Sequence, residues 1–139
     1  MTGGIWAVVV TWNRRLLLEQ CLQALMAQTR ACDRVLVVDN ASDDGTAERL
    51  AAWGARITVL RLDRNTGGAG GFNAGVRAAV QGGADRIWLM DDDVLPDPQG
   101  LERLLAAEQA LAARGVRKRS GPVQLVCPGA SAPSSAAAR

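Results

Sequence analysis

The sequence contains no histidine, one lysine, three cysteines and no long apolar run. Without histidine, this chain has no imidazole to act as a base, as a nucleophile's partner or as a metal ligand. The cysteines show no CxxC or Cys/His spacing, which indicates neither a disulfide framework nor a zinc site and favours a reducing cytoplasm. Because no apolar run approaches the ~20 residues of a membrane helix, any membrane contact is expected to be peripheral.

Length and charge favour one small globular domain with an acidic body. The chain has 139 residues, of which 48% are apolar and 22% charged, as is typical of a soluble domain. The net charge is +2, but five basic residues and no acidic ones lie beyond residue 113, which leaves −3 on residues 1–113. These basic residues are not interleaved with aromatic ones, so nucleic acid is not an expected partner. We predict a domain at 1–113 and, at 114–139, a basic and then Ser/Pro/Ala-rich tail with the composition of disorder or of an interrupted reading frame.

Four short apolar runs alternate with helical patterns. The first run is apolar almost throughout, as in a strand that is buried on both faces. Repeated strand–helix units of this kind predict an α/β domain with a mainly parallel sheet. Asn13 is expected to cap the first helix, and Asp97 and Pro98 the last. The predicted strands are Ile5–Thr11, Arg34–Val38, Ile57–Leu62 and Arg86–Met90; the predicted apolar helix faces include Leu17 and Met26 in the first helix and Leu111 in the last.

The unusual polar residues all follow the ends of these strands. TWN follows the first, DNASDDG the second, a glycine-rich stretch the third and DDD the fourth. Ligands of parallel α/β sheets bind beyond the carboxyl ends of the strands. We therefore expect the binding site at this edge of the sheet.

Acidic residues close two of the strands. In Asp91–Asp93, two carboxylates one residue apart can point to the same side, an arrangement that suits Mg²⁺ or Mn²⁺; the alternative is a solvated turn before the next helix. Asp39 can accept a hydrogen bond from a ring N–H or a ribose hydroxyl, or it can form an Asx turn or a helix cap. Both alternatives stay open at each place.

Glycines and one tryptophan complete the candidate edge. Five glycines lie between Gly67 and Gly75, where a loop would let the backbone approach phosphates, although flexibility alone also explains them. The stretch does not match GxGxxG, because Asn73 stands where a glycine is needed, and with Lys118 as the only lysine there is no P-loop. Trp12 either stacks on a nucleobase or belongs to the core.

In this order, the segments VVVTWNR, VLVVDNASDDGT, NTGGAGGFNAG and WLMDDDVLPDP resemble the nucleotide-sugar-binding half of the glycosyltransferase family 2 enzymes. That half has an α/β, Rossmann-like fold of the GT-A type, and the resemblance covers residues 5–113. GGAGGF followed by DDD is similar in particular to galactofuranosyl- and rhamnosyltransferases. The resemblance implies a UDP- or dTDP-sugar donor, a saccharide or lipid-linked saccharide acceptor, and a place in the cytoplasm or at the inner face of the membrane.

The resemblance also implies a role for individual residues at the edge. The pyrimidine would lie against the end of the first strand, with a carboxylate on its N–H edge, and the ribose and diphosphate would lie beside the glycines. Asp91 would reach the ribose or the metal, and Asp93 would bind Mn²⁺ or Mg²⁺. The implied nucleotide-sugar-binding residues are Thr11, Trp12, Asp39, Asn65, Gly67, Gly68, Asp91 and Asp92, and the implied metal ligands are Asp91 and Asp93.

A catalytic base is the part of such an enzyme that is missing. An inverting transfer needs a carboxylate to take the proton of the acceptor hydroxyl, and in the family that residue lies in the acceptor-binding half. We therefore expect this chain to be part of a metal-dependent glycosyltransferase. On its own, the chain is expected only to bind the donor. The alternatives are a non-catalytic nucleotide-sugar-binding module, an inactive gene fragment and a sugar nucleotidyltransferase; the last needs a glycine-rich loop after the first strand, where TWNRRLLL has no glycine.

Overall fold

The computed structural model describes residues 4–116 and the backbone of residues 123–126. Its elements are β1 (Ile5–Thr11), α1 (Arg15–Met26), β2 (Arg34–Asp39), α2 (Thr46–Ala51), a 3₁₀ turn (Gly54–Arg56), β3 (Thr58–Arg61), α3 (Gly67–Gln81), β4 (Arg86–Asp91), α4 (Gly100–Ala113) and β5 (Val123–Val126). The strands form one sheet in the order β3-β2-β1-β4-β5, and every neighbouring pair is parallel. This confirms the predicted α/β fold with a parallel sheet.

β1 is the central strand, and all of its residues are buried. Its side chains alternate between two apolar cores, one on each face of the sheet. Val9 belongs to the core that contains Leu22 of α1 and Leu101 of α4, whereas Val8 belongs to the core that contains Ala79 of α3. The continuous apolar run in the sequence is thus explained by helices that cover both faces.

The glycine-rich stretch is mostly helix, and the prediction of a loop there is wrong. α3 begins at Gly67 and contains all five of the glycines between Gly67 and Gly75. A Cβ at Gly71 would lie 2.6 Å from Val10 Cγ1, and one at Gly75 would lie 2.5 Å from Val8 Cγ1. These two glycines let α3 lie close against β1, and the packing outweighs the low helix propensity of glycine.

The prediction that Asn13 caps α1 is wrong, because its side chain bonds elsewhere. Asp97, predicted to cap α4, lies two residues before the observed cap and bonds to it. The N-cap of α1 is Arg14, with no side-chain cap bond. Asn13 has a left-handed φ of 51°; its Nδ2 donates to Asp43 Oδ1 at 2.9 Å and its Oδ1 accepts the Asp43 N–H at 2.8 Å. The N-cap of α4 is Gln99, whose N–H donates to Asp97 Oδ1 in the preceding turn at 2.9 Å.

The buried helix faces are narrower than the sequence predicts. In α1 the side chains of Leu18, Cys21, Leu22 and Leu25 are buried, but Leu17 and Met26 are 42% and 39% exposed. In α4 only Leu101 is buried, and Leu111 near the carboxyl end is 48% exposed. The second half of α4 therefore covers little of the core.

Val123–Val126 lie within the segment predicted to be a tail, yet they form β5, which pairs in parallel with β4. α4 ends at Ala113. The rest of the predicted tail at 117–122 and 127–139 lies outside the described residues. No helix in the described ranges is long and apolar enough to cross a membrane.

Gly75→Ala tests the close packing of α3 on the sheet. The new methyl group would lie 2.5 Å from Val8 Cγ1 and 2.9 Å from Val38 Cγ2, so we expect the free energy of unfolding to fall by about 1–3 kcal/mol. Gly68→Ala is the matched control, because nothing lies within 4 Å of its added Cβ, and a change below about 1 kcal/mol is expected. Chemical denaturation measures both variants. Equal losses in the two would contradict the packing explanation.

Candidate functional site

The carboxyl ends of three neighbouring strands bring the candidate residues together. In the sheet register Thr11 of β1 lies opposite Asp39 of β2, Val10 lies opposite Asp91 of β4, and Asp39 lies opposite Arg61 of β3. The polar segments that follow the strands in the sequence therefore meet at one edge, as the parallel topology requires. We call this the carboxyl edge.

Asp92 is the buried member of the three consecutive aspartates. Its side chain is 5% exposed; Thr11 Oγ1 donates to its Oδ2 at 2.8 Å, and Arg14 Nη1 lies 3.5 Å from its Oδ1. Burial raises the pKa of Asp92, and the Thr11 hydrogen bond and the Arg14 charge act in the opposite direction. Asp92 thus ties the end of β4 to the end of β1, and it offers little surface to a ligand.

Asp91 and Asp93, which precede and follow Asp92 in the sequence, are both exposed. Burial raises the pKa of Asp91, and the nearby charge of Asp93 raises it further, against the effect of Arg14. Arg14 Nη1 also lies 3.7 Å from Asp93 Oδ2. Two carboxylates that repel each other at a partly exposed strand end fit the oxygen ligands of Mg²⁺ or Mn²⁺. Within residues 4–116, no cluster of three or more His, Cys, Asp or Glu side chains is placed to hold a metal, so such an ion would complete its shell with water and ligand oxygens.

Asp39 is fully buried and held by two neighbours. Its Oδ1 accepts the Ser42 N–H at 3.0 Å, and its Oδ2 accepts a bond from Arg61 Nη1 at 2.7 Å. Arg61 Nη2 also donates to the Ser42 carbonyl at 2.9 Å. The bond to Ser42 is a turn-forming contact of the kind that the sequence left open for Asp39, and the side chain exposed beside it is that of Arg61.

Asn40 fixes the first turn of α3 to the end of β2. Its Nδ2 donates to the Gly67 carbonyl at 2.9 Å, and its Oδ1 accepts the Thr66 N–H at 2.8 Å. Asn65 Oδ1 accepts the Gly67 N–H at 2.8 Å, and Gly67 has a positive φ of 74°. No atom would contact a Cβ at Gly67 or Gly68. The start of α3 is therefore open. The N–H groups of Thr66 and Gly67 are taken by Asn40 and Asn65, and the others of the first turn have no partner within the helix, as in helix N-termini that bind anions.

Trp12 directly follows β1 and is 49% exposed. The alternative that it belongs to the core is wrong, because the chain turns outward at the left-handed Asn13. Asn13 is held there by Asp43, and its N–H donates to Ser42 Oγ at 2.9 Å. The indole thus stands at the carboxyl edge, beside the loop that follows β2.

Sequence reasoning missed three residues of this edge: Arg14, Asn40 and Arg61. Each forms contacts between loops that are distant in the sequence, and spacing alone does not reveal such contacts. Arg61 did carry a signal, since it is a charged residue one position before the predicted end of the third strand.

Comparison with known proteins identifies the family of this chain. The sequence model described as "Glycosyl transferase family 2" matches residues 6–116. The chain belongs to glycosyl transferase family 2. This family 2 chain is 45% identical over 106 residues to the galactofuranosyltransferase GlfT1 of Mycolicibacterium smegmatis, covering 76% of this chain and 35% of the relative. It is 33% identical over 94 residues to a dTDP-rhamnosyl transferase, RfbF, of Shigella flexneri, covering 67% of this chain and 30% of the relative.

Solved structures give the same fold. TarS of S. aureus in complex with UDP superimposes with a TM-score of 0.69 at 21% identity, covering 81% of this chain and 33% of that chain. A mannosyltransferase, PcManGT, from Pyrobaculum calidifontis in complex with GDP-Man and Mn²⁺ gives a TM-score of 0.65 at 27% identity, covering 73% and 31%. These likenesses confirm the GT-A fold. The family 2 chain spans about a third of the length of the curated relatives.

Thr11→Val tests the bond that joins β1 to Asp92. The substitution keeps the shape and removes one partner of a buried carboxylate, so we expect the free energy of unfolding to fall by about 1–3 kcal/mol. Thr58→Val is the matched control, because Thr58 is exposed on β3, and a change below about 0.5 kcal/mol is expected. Thermal and chemical unfolding provide the measurement. A Thr11→Val protein as stable as the control would show that Asp92 does not depend on this bond.

Proposed function

We propose that this chain binds a UDP- or dTDP-sugar together with Mn²⁺ or Mg²⁺ and forms the donor-binding part of an inverting glycosyltransferase. The acceptor would be a hydroxyl of a saccharide or of a lipid-linked saccharide. The observation that carries the proposal is the meeting of Thr11, Asp39 and the Asp91 and Asp93 carboxylates at one sheet edge of a family 2 chain. Similarity to a galactofuranosyltransferase and to a dTDP-rhamnosyl transferase supports this choice of donors.

The nucleoside would lie at the ends of β1 and β2. Trp12, half exposed beside the edge, offers an apolar plane on which a base can stack. Thr11 is buried and bonded to Asp92, and it contributes chiefly by fixing the floor of this position. Asp39 lies next to it in the sheet register; because it is buried and bonded to Ser42 and Arg61, it contributes by fixing the polar side of this position.

The diphosphate would lie at the start of α3. Gly67 and Gly68 leave open space there, so phosphate oxygens can approach the backbone N–H groups of the first turn. Asn65 and Asn40 hold this turn in place through the N–H and the carbonyl of Gly67. The bonds fix the direction of the open N–H groups before the ligand arrives, which lowers the cost of ordering them on binding.

Asp91 and Asp93 would hold the divalent ion, and Asp92 would hold them in place. A bound ion supplies Lewis-acid stabilisation for the departing nucleoside diphosphate. The protein's part is to keep two carboxylates exposed and close together against their mutual repulsion. The buried contacts of Asp92 with Thr11 and Arg14 do this by fixing the backbone between them.

Proton transfer from the acceptor is not assigned to this chain. Beyond Asp93 the sequence has three acidic residues, and each is engaged in α4 or its preceding turn. Asp97 accepts the Gln99 N–H, Glu102 accepts the Thr29 hydroxyl at 2.9 Å, and Glu108 pairs with Arg86 at 2.6 Å. A base that takes the acceptor proton would come from the part of the relatives that this chain does not match, so the proposed function here is donor binding.

A non-catalytic binding module is the second candidate. It is favoured by three exposed leucines in segments that follow β1 and β4: Leu16, Leu17 and Leu95 are 64%, 42% and 58% exposed. Apolar surface of this kind suits a contact with another domain or subunit. Both candidates predict donor binding. A partner subunit that restores sugar transfer would favour the binding module.

Calorimetric titration with UDP and dTDP, with and without Mn²⁺, tests the proposed function. We expect binding that Mn²⁺ tightens by at least about 10-fold, because a divalent ion held by Asp91 and Asp93 would offset the negative charge of the diphosphate. The preferred nucleotide identifies the donor class. No binding of either nucleotide by folded protein would overturn the proposal and favour an inactive fragment.

Asp93→Ala tests the metal position. Removal of this exposed carboxylate should abolish the Mn²⁺-dependent part of UDP binding and leave the Mn²⁺-independent part within about 3-fold. Glu48→Ala, which removes an exposed acidic residue from α2, is the charge-matched control and should bind like the unmodified chain. Asp93→Ala that retains the full effect of Mn²⁺ would exclude this residue as a metal ligand.

A further inference from the structure

Arg61 has a defined position at the carboxyl edge, and the proposed function does not yet give it a role of its own. It is the last residue of β3, opposite Asp39 in the sheet. Its Nη1 donates to Asp39 Oδ2 at 2.7 Å and its Nη2 donates to the Ser42 carbonyl at 2.9 Å. Anchoring at two atoms fixes the plane of the guanidinium as well as its position.

Exposure distinguishes the two members of this ion pair. The side chain of Asp39 is 1% exposed, whereas that of Arg61 is 49% exposed. A base that enters the edge beside β2 therefore meets the guanidinium of Arg61, which lies against the carboxylate. Two of the five N–H groups of a guanidinium are used in the bonds to Asp39 and Ser42. Within the described residues, the other three remain available to a ligand.

We propose that Arg61 is a specificity-determining residue of the nucleotide site: Asp39 and Ser42 hold its guanidinium at the carboxyl edge, where it donates to the C4 carbonyl oxygen of a uracil or thymine base. This inference rests on the proposed function, because it requires a nucleotide at this edge. Asp39 then acts as a positioning residue that orients Arg61 and balances its charge.

The chemistry of a guanidinium determines which bases it accepts. It carries hydrogen-bond donors and no acceptor. Uracil and thymine present carbonyl oxygens on both sides of their ring N–H, so they offer acceptors to Arg61. Cytosine keeps the carbonyl at C2 but presents an amino group in place of the carbonyl at C4, so an Arg61 donor at that position would face the N–H donors of cytosine. A contact at C4 would thus favour UDP and dTDP over CDP, because the donors of Arg61 would be left unpaired against cytosine.

Affinities for UDP and CDP, measured by calorimetry in Mn²⁺, test this role. We expect the unmodified chain to prefer UDP by about 10-fold or more, the value of one hydrogen bond to a charged group. Arg61→Met removes the N–H groups and keeps an apolar stem; it should reduce the preference to below about 3-fold, mainly through weaker UDP binding. Arg49→Met, which removes an exposed arginine of α2, is the matched control and should keep the preference.

Arg61→Lys is the second variant, and it keeps a positive charge beside buried Asp39 should Arg61→Met fail to fold. A lysine cannot be anchored at two atoms and still present a fixed plane, so the preference for UDP should again fall. An equal loss of UDP and CDP affinity in the folded variants, or an unchanged preference, would overturn the inference and leave Arg61 a role in charge or stability alone. If the unmodified chain binds none of UDP, dTDP and CDP, the proposed function itself fails.

Discussion

The close approach of α3 to β1 is the contact on which the carboxyl edge depends. Gly71 and Gly75 place the helix backbone directly on Val10 and Val8, where even a methyl group would not fit. At this distance the first turn of α3 reaches the end of β2, and Asn40 bonds to the Gly67 carbonyl. A helix held farther from the sheet would carry its open N–H groups away from the strand ends. The polar geometry of the carboxyl edge thus depends on the apolar packing of α3 against the sheet.

The polar contacts at the edge then join loops that come from different strands. Thr11 bonds to Asp92 across β1 and β4, and Arg61 bonds to Asp39 and Ser42 across β3 and β2. Each contact satisfies a buried carboxylate, which would otherwise carry a large desolvation cost. The same contacts leave Asp91, Asp93 and the outer side of Arg61 exposed. The burial of Asp39 and Asp92 therefore determines where the exposed charged groups of the edge lie.

Much of this fold follows from the sequence, because strand and site positions depend on local patterns. The apolar run Ile5–Thr11 and the strand β1 have the same bounds, and the polar segments after the strands meet as parallel topology requires. The prediction was wrong where tertiary contacts outweigh local preference. The glycines that suggest a loop lie in α3, where Gly71 and Gly75 pack closely on valines of the sheet. Asn13 does not cap α1, because it bonds instead to Asp43 and Ser42. No local pattern contains such partners, since they lie about 30 residues away.

The division of the aspartates shows how the edge can be formed by this part of the chain. Asp91 ends β4, and in the turn that follows Asp92 is buried while Asp91 and Asp93 are exposed. The buried residue is bonded to Thr11 and Arg14. The side-chain hydrogen bonds and ion pairs of the carboxyl edge all join residues within 11–67 and 91–93. The geometry of the proposed donor site is therefore set by contacts within the described residues, whereas the base that takes the acceptor proton is not assigned to them.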